Sequence, residues 1–492
     1  MNYEPIQFMI QNILKFKKLG VIIGLAAMGM GSRANAQEVI SLQKAVDLTL
    51  ERNLTIKQAK FTEALATEDV KQSKYNQLPS ASASPNAGWG FGRSPVSGNY
   101  AYVNQTVFNV NGSASVQFTL FQGGQLRNQI LQNKLQLDVD KTSTAKIKND
   151  LILSVVTDYL QILTNQDLVT AAKQQINIAQ ITLDRTQKSF DAGNMSLADL
   201  SQAKAGVSTA EYNLTTAQNQ LDLSTLVLKQ YMEMDPNTQI KVERPDISKL
   251  NDIKTAYDAN EVIKTALSVN PDVKLAELQQ QTSAAAIKVA KGNYYPNLSL
   301  VGNLNSFYSS AQQPYRVLGG TTPDFQTIGI VEGTGQLVKT PVKVSNPITG
   351  YYSFGNQFKD NFNQFIGVNL QIPIFNHYTA RTSVNKAKLS YENAQVATQL
   401  AKNTLSKTIS QAVLDLNAAV KKYASAQETY QADKDAFDVM QERYNVGLVN
   451  SLDYNTSLTN YNKAQNDMIE AKYEMIFRSK VIDYYLGNTI TL

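Results

Sequence analysis

The chain has 492 residues, 43% hydrophobic and 18% charged, with no cysteine, one histidine (His377) and one tryptophan (Trp89). The missing cysteines exclude disulfides, thiolate metal sites and a thiol nucleophile, and a lone histidine argues against His-rich metal sites and a Ser–His–Asp triad, so no enzyme, cofactor or metal is expected. Most of the formal charge of +5 lies in the first 36 residues, where Lys15, Lys17, Lys18 and Arg33 against Glu4 make a net of +3; the remaining +2 includes no basic stretch of the kind that binds nucleic acid.

Residues 1–36 read as a secretory signal peptide. Three lysines precede the apolar run Leu19 to Met30, and Ala34-Asn35-Ala36 is a small-x-small site, with cleavage expected after Ala36. No cysteine follows, so a lipid anchor is not expected there. No later run of eighteen apolar residues occurs. The exported chain is then either soluble or crosses a membrane as β-strands.

The rest of the chain is a tandem duplication. Asn53 and Asn270 stand 217 positions apart, as do Pro79 and Pro296. Phe121 and Phe375, Arg127 and Arg381, Gly193 and Gly447, and Asp199 and Asp453 all stand 254 apart. The difference, 37 residues, is an insertion between Pro296 and Phe375. The first copy covers 37–242 and the second 243–492.

In chain order, the first copy begins with a helix predicted from about Leu42 to Gln77. A strand pair follows over about 80–121. Val116, Phe118 and Leu120 alternate with Ser115, Gln117 and Thr119. A very long helix is predicted over about 125–190, roughly 100 Å at 1.5 Å per residue. Ala192-Gly193-Asn194 ends it, and a return helix runs over about 197–232 before Asp235-Pro236. The second copy repeats the plan, with a strand pair over about 297–375 carrying the insertion. There Ile366, Val368, Leu370 and Ile372 alternate with Phe365, Gly367, Asn369 and Gln371. Its long helix covers about 379–444, it breaks at Gly447, and its return helix covers about 451–485.

The helical periodicity is that of a coiled coil. Val169, Ala172, Ile176, Ala179, Leu183, Thr186 and Phe190 alternate spacings of three and four. Leu200, Val207, Leu214, Leu221 and Leu228 recur every seven residues, with Ala203, Ala210, Ala217 and Ser224 between. The second copy keeps the register with Tyr454, Tyr461, Met468, Met475 and Ile482, which accounts for part of the 24 tyrosines. Large residues alternating with small ones let antiparallel helices approach closely.

The strands have one apolar face and one polar face, as in a barrel with lipid outside and water inside; alternation alone also fits a half-buried soluble sheet. On the barrel reading Val116, Phe118, Leu120, Val368, Leu370 and Ile372 face lipid. Trp89, Phe91, Tyr100 and Tyr102 are candidates for an interfacial girdle. Four strands do not close a barrel and open edges are not tolerated in lipid, so several chains must share one. A three-fold ring gives twelve strands. The first helix and the return helix together match one long helix in length, so they can stack end to end beside it.

This plan resembles the TolC family of outer-membrane efflux proteins over essentially the whole exported chain. Tyr444-Asn445-Val446-Gly447-Leu448-Val449 followed by Asp453, and Phe190-Asp191-Ala192-Gly193-Asn194-Met195 followed by Asp199, carry the turn signatures. The resemblance implies an α+β membrane protein: a homotrimer with a 12-stranded outer-membrane β-barrel continued by an α-helical periplasmic barrel. It implies export together with a periplasmic adaptor (membrane fusion) protein and an inner-membrane pump of RND, ABC or MFS type. Ala192, Gly193, Asn194, Val446, Gly447 and Leu448 then form the adaptor-docking tip. Asp453 falls on the first position of an acidic constriction, and the second falls on Thr456. Tyr444 and Asp199 match a hydroxyl–carboxylate pair that holds the gate closed, while the basic residue of a further link falls on Val449. On the residues alone, the turns are equally those of plain helical hairpins, and Asp199 is an acid in a first helical turn.

The insertion, with Gly319, Gly320, Gly333, Gly335, Gly350, Pro314, Pro323, Pro341 and Pro347, is expected to be an extended loop at the outer surface. Ser41 reads as a helix N-cap rather than half of a Ser–Lys pair. A periplasmic adaptor, or a trimeric coiled-coil surface protein without a pore, is the alternative. An adaptor has one hairpin flanked by small β-domains, not two hairpins each preceded by a strand pair.

Overall fold

The computed structural model describes residues 38–95, 101–244, 254–312, 315–317, 321–345 and 349–488. The signal peptide with its site at Ala36, Tyr100 of the expected girdle, and Pro314, Gly319, Gly320 and Pro347 of the insertion lie outside the described residues. Two compact units form, and they do not coincide with the two sequence copies. One takes Ala64–Val139 and Glu277–Ala397; the other takes Asp140–Ala276, Thr398–Leu492 and the chain up to Glu63. Each draws on both copies.

The first of these units holds the main sheet. β2 (Ser80–Ala83) and β3 (Asn86–Pro95) both pair antiparallel with β4 (Tyr102–Gln122), so they act as one strand broken at Pro85. β4 pairs with β6 (Asn297–Ser309), and β6 with β11 (Asn363–Gln371). The order β11-β6-β4-β2/β3 makes four antiparallel lanes, with an edge on each side that is unpaired among the described residues.

Register divides the faces. Val368 lies opposite Leu300 and Leu300 opposite Phe118; Ile366 lies opposite Gly302 and Gly302 opposite Val116. Leu298 and Leu370 share that apolar face. The other face carries Ser299, Asn303, Asn305, Ser113, Ser115, Gln117 and Asn369. At Leu120 the pairing is irregular. A β-bulge between Thr119 and Phe121 sets Phe121, not Leu120, opposite Leu298, because the inserted residue shifts the two-residue alternation by one. Ile372 lies just past the end of β11 and is exposed.

Along the apolar face runs an aromatic row, Trp89–Phe108–Tyr308–Phe354–Phe358, with centroid separations of 4.6, 6.4, 5.0 and 5.4 Å. Phe354 and Phe358 belong to a short helix, α7 (Phe354–Asp360). It is fastened to β6 by Ser306 Oγ donating to the Phe358 carbonyl at 2.5 Å and Asn361 Nδ2 donating to the Phe307 carbonyl at 2.8 Å.

The insertion is not an irregular loop. It forms an antiparallel hairpin, β8 (Thr321–Ile330) with β9 (Leu337–Ser345), above a short pair, β7 (Tyr315–Val317) with β10 (Thr349–Tyr351). Thr and Val in β8 and β9 favour a pleated ribbon, and Gly333 and Gly335, both with positive φ, lie in the connecting turn.

The expected first helix is two. α1 (Leu42–Arg52) stops at Asn53, and α2 (Leu54–Tyr75) restarts at once. Asn53 Oδ1 accepts the Thr55 amide at 2.9 Å while its Nδ2 donates to the Tyr231 carbonyl at 3.1 Å. That local bond competes with helix continuation. Asn270 repeats the device between α5 (Ala259–Val269) and α6 (Pro271–Lys291), accepting the Asp272 amide at 2.8 Å. The long helices are α3 (Gln125–Asp191) and α8 (Thr379–Asn445), 67 residues each; the return helices are α4 (Leu197–Tyr231) and α9 (Ser451–Tyr485), 35 each. The turns entering α3 and α8 share one backbone shape: Gly123 and Gly124 in the first copy and His377 and Tyr378 in the second all have positive φ.

The second unit packs helix on helix. Val155, Tyr159, Leu163, Leu228, Met232 and Ile476 form its main core, and Val262, Ile409, Leu416 and Ile482 a further one. Among the seam residues, Leu200, Ala210, Ser224 and Leu228 are buried along α4, and Tyr454, Ala464, Ala471 and Ile482 along α9. Two three-residue strands, β1 (Glu38–Ile40) and β5 (Ile240–Val242), pair in parallel and close the unit. The buried Tyr159 hydroxyl lies 2.6 Å from the Glu243 carbonyl and 3.2 Å from the Ile40 carbonyl, so it ties α3 to both strands. Tyr159→Phe keeps the ring but removes the hydroxyl's bond to the Glu243 carbonyl, while the Ile40 carbonyl keeps the Glu243 amide at 2.9 Å. We expect a stability loss of about 1–3 kcal/mol, read as a lower denaturant midpoint with unchanged helical content.

Candidate gate and docking tip at the helix turns

Both long helices end in the same way. Asn194 N donates to the Ser189 carbonyl at 2.8 Å and Gly193 N to the Phe190 carbonyl at 2.9 Å; Leu448 N donates to Arg443 at 2.9 Å and Gly447 N to Tyr444 at 3.2 Å. These are paired six-to-one and five-to-two closures, which need a left-handed residue after the helix. Gly193 has φ +75° and Gly447 φ +80°. A Cβ at either glycine would meet nothing within 4 Å, so the demand is purely conformational. The next helices start on side-chain caps: Ser196 Oγ accepts the Asp199 amide, and Asn450 Oδ1 accepts the Asp453 amide at 2.8 Å. Ala192, Gly193, Asn194, Val446, Gly447 and Leu448 are all exposed, Val446 at 69% and Leu448 at 74%. Leu197 and Leu452, in the first turns of the return helices, are exposed as well.

The two matching acids have different fates. The Asp199 carboxylate accepts from its own cap, Ser196 Oγ at 2.6 Å, and across the turn from Ser451 Oγ at 2.5 Å. The Ser196 hydrogen bond, then the Ser451 one, hold its pKa below the ordinary aspartate range. The Asp453 carboxylate accepts from its cap, Asn450 Nδ2 at 2.9 Å, with no further donor among the described residues, and is exposed. A reciprocal link is impossible because the position matching Ser451 is Leu197, which has no donor. Thr456 is exposed and its hydroxyl donates to the Leu452 carbonyl of its own helix at 2.9 Å.

The expected Tyr444–Asp199 hydrogen bond is not made. Tyr444 is buried, with its ring stacked on Tyr454 at 4.4 Å, and Ser451 takes the place at Asp199. The stack continues through Phe437 (5.8 Å from Tyr454) to Tyr461 (5.2 Å) and Tyr430 (5.9 Å), an aromatic ladder between α8 and α9. The Tyr454 hydroxyl also lies 3.0 Å from Thr182 Oγ1 of α3.

Arg185 is a contact that the sequence reading missed. Its guanidinium donates to both the side-chain oxygen and the backbone carbonyl of Asn445, and its Cζ lies 5.8 Å from the Tyr444 ring centre. A cation there meets the open carbonyls at the C-terminus of α8, where positive charge is favoured. The available signal was a difference between the copies: the position matching Arg185 is Val439.

The sequence profile of the outer membrane efflux protein family matches residues 45–232 and 262–488. The chain is 23% identical to outer membrane protein TolC of Escherichia coli (strain K12), covering 96% of this chain and 86% of that protein. It is 20% identical to toxin and drug export protein A of Aggregatibacter actinomycetemcomitans, covering 88% and 83%. Its fold is similar to that of the Campylobacter jejuni CmeC outer membrane channel, with TM-score 0.70, 18% identity and coverage of 91% and 85%. It is also similar to the open state of the Neisseria gonorrhoeae MtrE outer membrane channel, with TM-score 0.62, 18% identity and coverage of 91% and 89%. The fold and the duplicated turns thus define an outer-membrane efflux channel with its helices in the periplasm. The chain belongs to the outer membrane efflux protein family.

Gly193→Ala and Gly447→Ala each force an L-residue into the left-handed region, at about 1 kcal/mol. Hydrogen exchange should speed up at the amides of residues 192–195 or 446–449 and stay unchanged in the Tyr159 core.

Proposed function

We propose that three copies of this chain close one 12-stranded barrel in outer-membrane lipid, continued by an α-helical barrel in the periplasm. The pore passes substrates handed on by a periplasmic adaptor and an inner-membrane pump, and performs no chemistry itself. One observation carries this reading: a four-lane sheet with an apolar and a polar face has both edges unpaired. In antiparallel order, β11 of one copy runs opposite to β3 of the next, so the edges can pair around a ring. Heat-sensitive trimer mobility and single-channel conductance in bilayers are the expected results. Extraction without detergent together with no pores would instead favour a poreless adaptor or fibre.

The exposed turns, Ala192 to Asn194 and Val446 to Leu448 with Leu197 and Leu452 beside them, are the surface that we assign to the adaptor. Small residues and exposed aliphatic side chains suit packing against another helical hairpin. Asp453 is the charged residue of the entrance: three copies attract cations and repel one another. Thr456, one turn on, adds hydroxyls and no second ring of charge.

The closed state is held by two contacts between hairpins, Ser451 to Asp199 and Arg185 to Asn445, backed by the stacked Tyr444. Ser451→Ala, Asp199→Ala and Arg185→Ala should each raise the closed-state leak conductance, whereas Tyr444→Phe, which keeps the ring, should not. Unchanged leak in all three would overturn this assignment. The Asp199 pKa is lowered, so its link is intact above the ordinary value of 3.8 and is lost only as pH falls through the lower folded value. Leak through this link should stay flat from neutral pH to that point and rise below it.

A further inference from the structure

The β8–β9 hairpin sorts its side chains by face. Cross-strand partners share a face, so the rungs Pro323–Lys343, Phe325–Pro341, Thr327–Lys339 and Ile330–Leu337 form one side. The other side carries Thr322–Val344, Asp324–Val342, Gln326–Thr340 and Gly329–Val338. Both lysines of the ribbon therefore alternate with apolar rungs on one face; of the hairpin's two carboxylates, Asp324 lies on the other face and Glu332 in the connecting turn. Among the described residues neither Lys339 nor Lys343 has an ion-pair partner. Phe325, Ile330 and Leu337 on the lysine face are 63%, 66% and 56% exposed.

A two-stranded ribbon is marginal in water without a layer against one face. Here β8 and β9 pair with each other alone, so both outer edges keep open backbone groups. Those edges exclude the hydrocarbon interior but tolerate the wet headgroup zone. The hairpin leaves the sheet between Ser309 and Asn363. That end is opposite to Asn297 and Gln371, which adjoin the helices in sequence, and it carries the Tyr308–Phe354 part of the aromatic row. Aromatic rows mark the level at which hydrocarbon gives way to headgroups.

We infer that the lysine face of this hairpin lies on the outer leaflet, where Lys339 and Lys343 bind the phosphates of its glycolipid and Phe325, Ile330 and Leu337 rest at the acyl boundary. The inference rests on the barrel reading above. Lysine stems extend along apolar surface while their ammonium groups reach anionic headgroups, so the alternating pattern suits such a boundary.

The chain has no cysteine, so single reporters can be introduced cleanly. Thr327→Cys reports the lysine face, Gln326→Cys the opposite face and Val368→Cys the apolar face of the barrel. Each carries an environment-sensitive fluorophore in the reconstituted full chain. Iodide quenching is compared in phosphatidylcholine vesicles, in phosphatidylcholine vesicles containing lipopolysaccharide, and in detergent. The Thr327 reporter should be shielded only with lipopolysaccharide, with Gln326 quenched throughout. Lys339→Glu combined with Lys343→Glu should abolish that shielding while conductance and Val368 shielding persist. Equal quenching of Thr327 and Gln326 with Val368 shielded would overturn the hairpin inference alone. Shielding of Thr327 in detergent would also overturn it, by showing that a neighbouring copy covers the face. A quenched Val368 in vesicles would overturn the barrel reading and the inference with it.

Discussion

Unpaired backbone groups at a sheet edge are the constraint on which the rest of this protein turns. In water an open edge is a liability; in hydrocarbon each unmet N–H or C=O costs several kcal/mol. One chain supplies four lanes and no closure. On the proposed reading the sheet is therefore incomplete as a single molecule, and a ring of copies closes it.

The duplication also shows how two copies of one plan divide labour. Both hairpins keep the glycine turn, the capped return helix and the acid in its first turn. They differ in the residues around that acid. Ser451 faces Asp199, but Leu197 stands where a second serine would complete the reciprocal link. One acid thus joins two hairpins and the other is left to solvent. The seam differs likewise: Tyr444, Tyr454, Phe437 and Tyr461 stack in the second copy, where the first has Phe190, Leu200, Leu183 and Val207.

The contacts at the helix turns are made by hydroxyls, one guanidinium, a carboxylate and stacked rings. Tyrosines line the second hairpin's seam, and Tyr308 belongs to the aromatic row on the sheet. The insertion, by contrast, belongs to neither copy's plan, and its ribbon adds a surface that the first copy lacks.

Much of this was legible in the chain of letters. Periodicity of two and of seven reports which side of an element is apolar, so the strands, the long helices and their seams follow directly from it. The glycine turns follow from a conformational demand local to a few residues. Contacts between residues far apart in sequence were not legible. Asn53 and Asn270 mark the repeat, but their helix-breaking hydrogen bonds depend on backbone geometry. The bulge that displaces Leu120 depends on the register of a partner strand about 180 residues away, and β1 and β5 are too short to carry a pattern. Ser451 meeting Asp199, and Arg185 reaching Asn445, depend on how two hairpins lie side by side. Sequence by itself determined the elements and their faces, because those are set by neighbours a few residues apart. Only the tertiary structure decided which polar groups meet at the tip, because hydrogen bonds are satisfied over a few ångströms of space rather than along the chain.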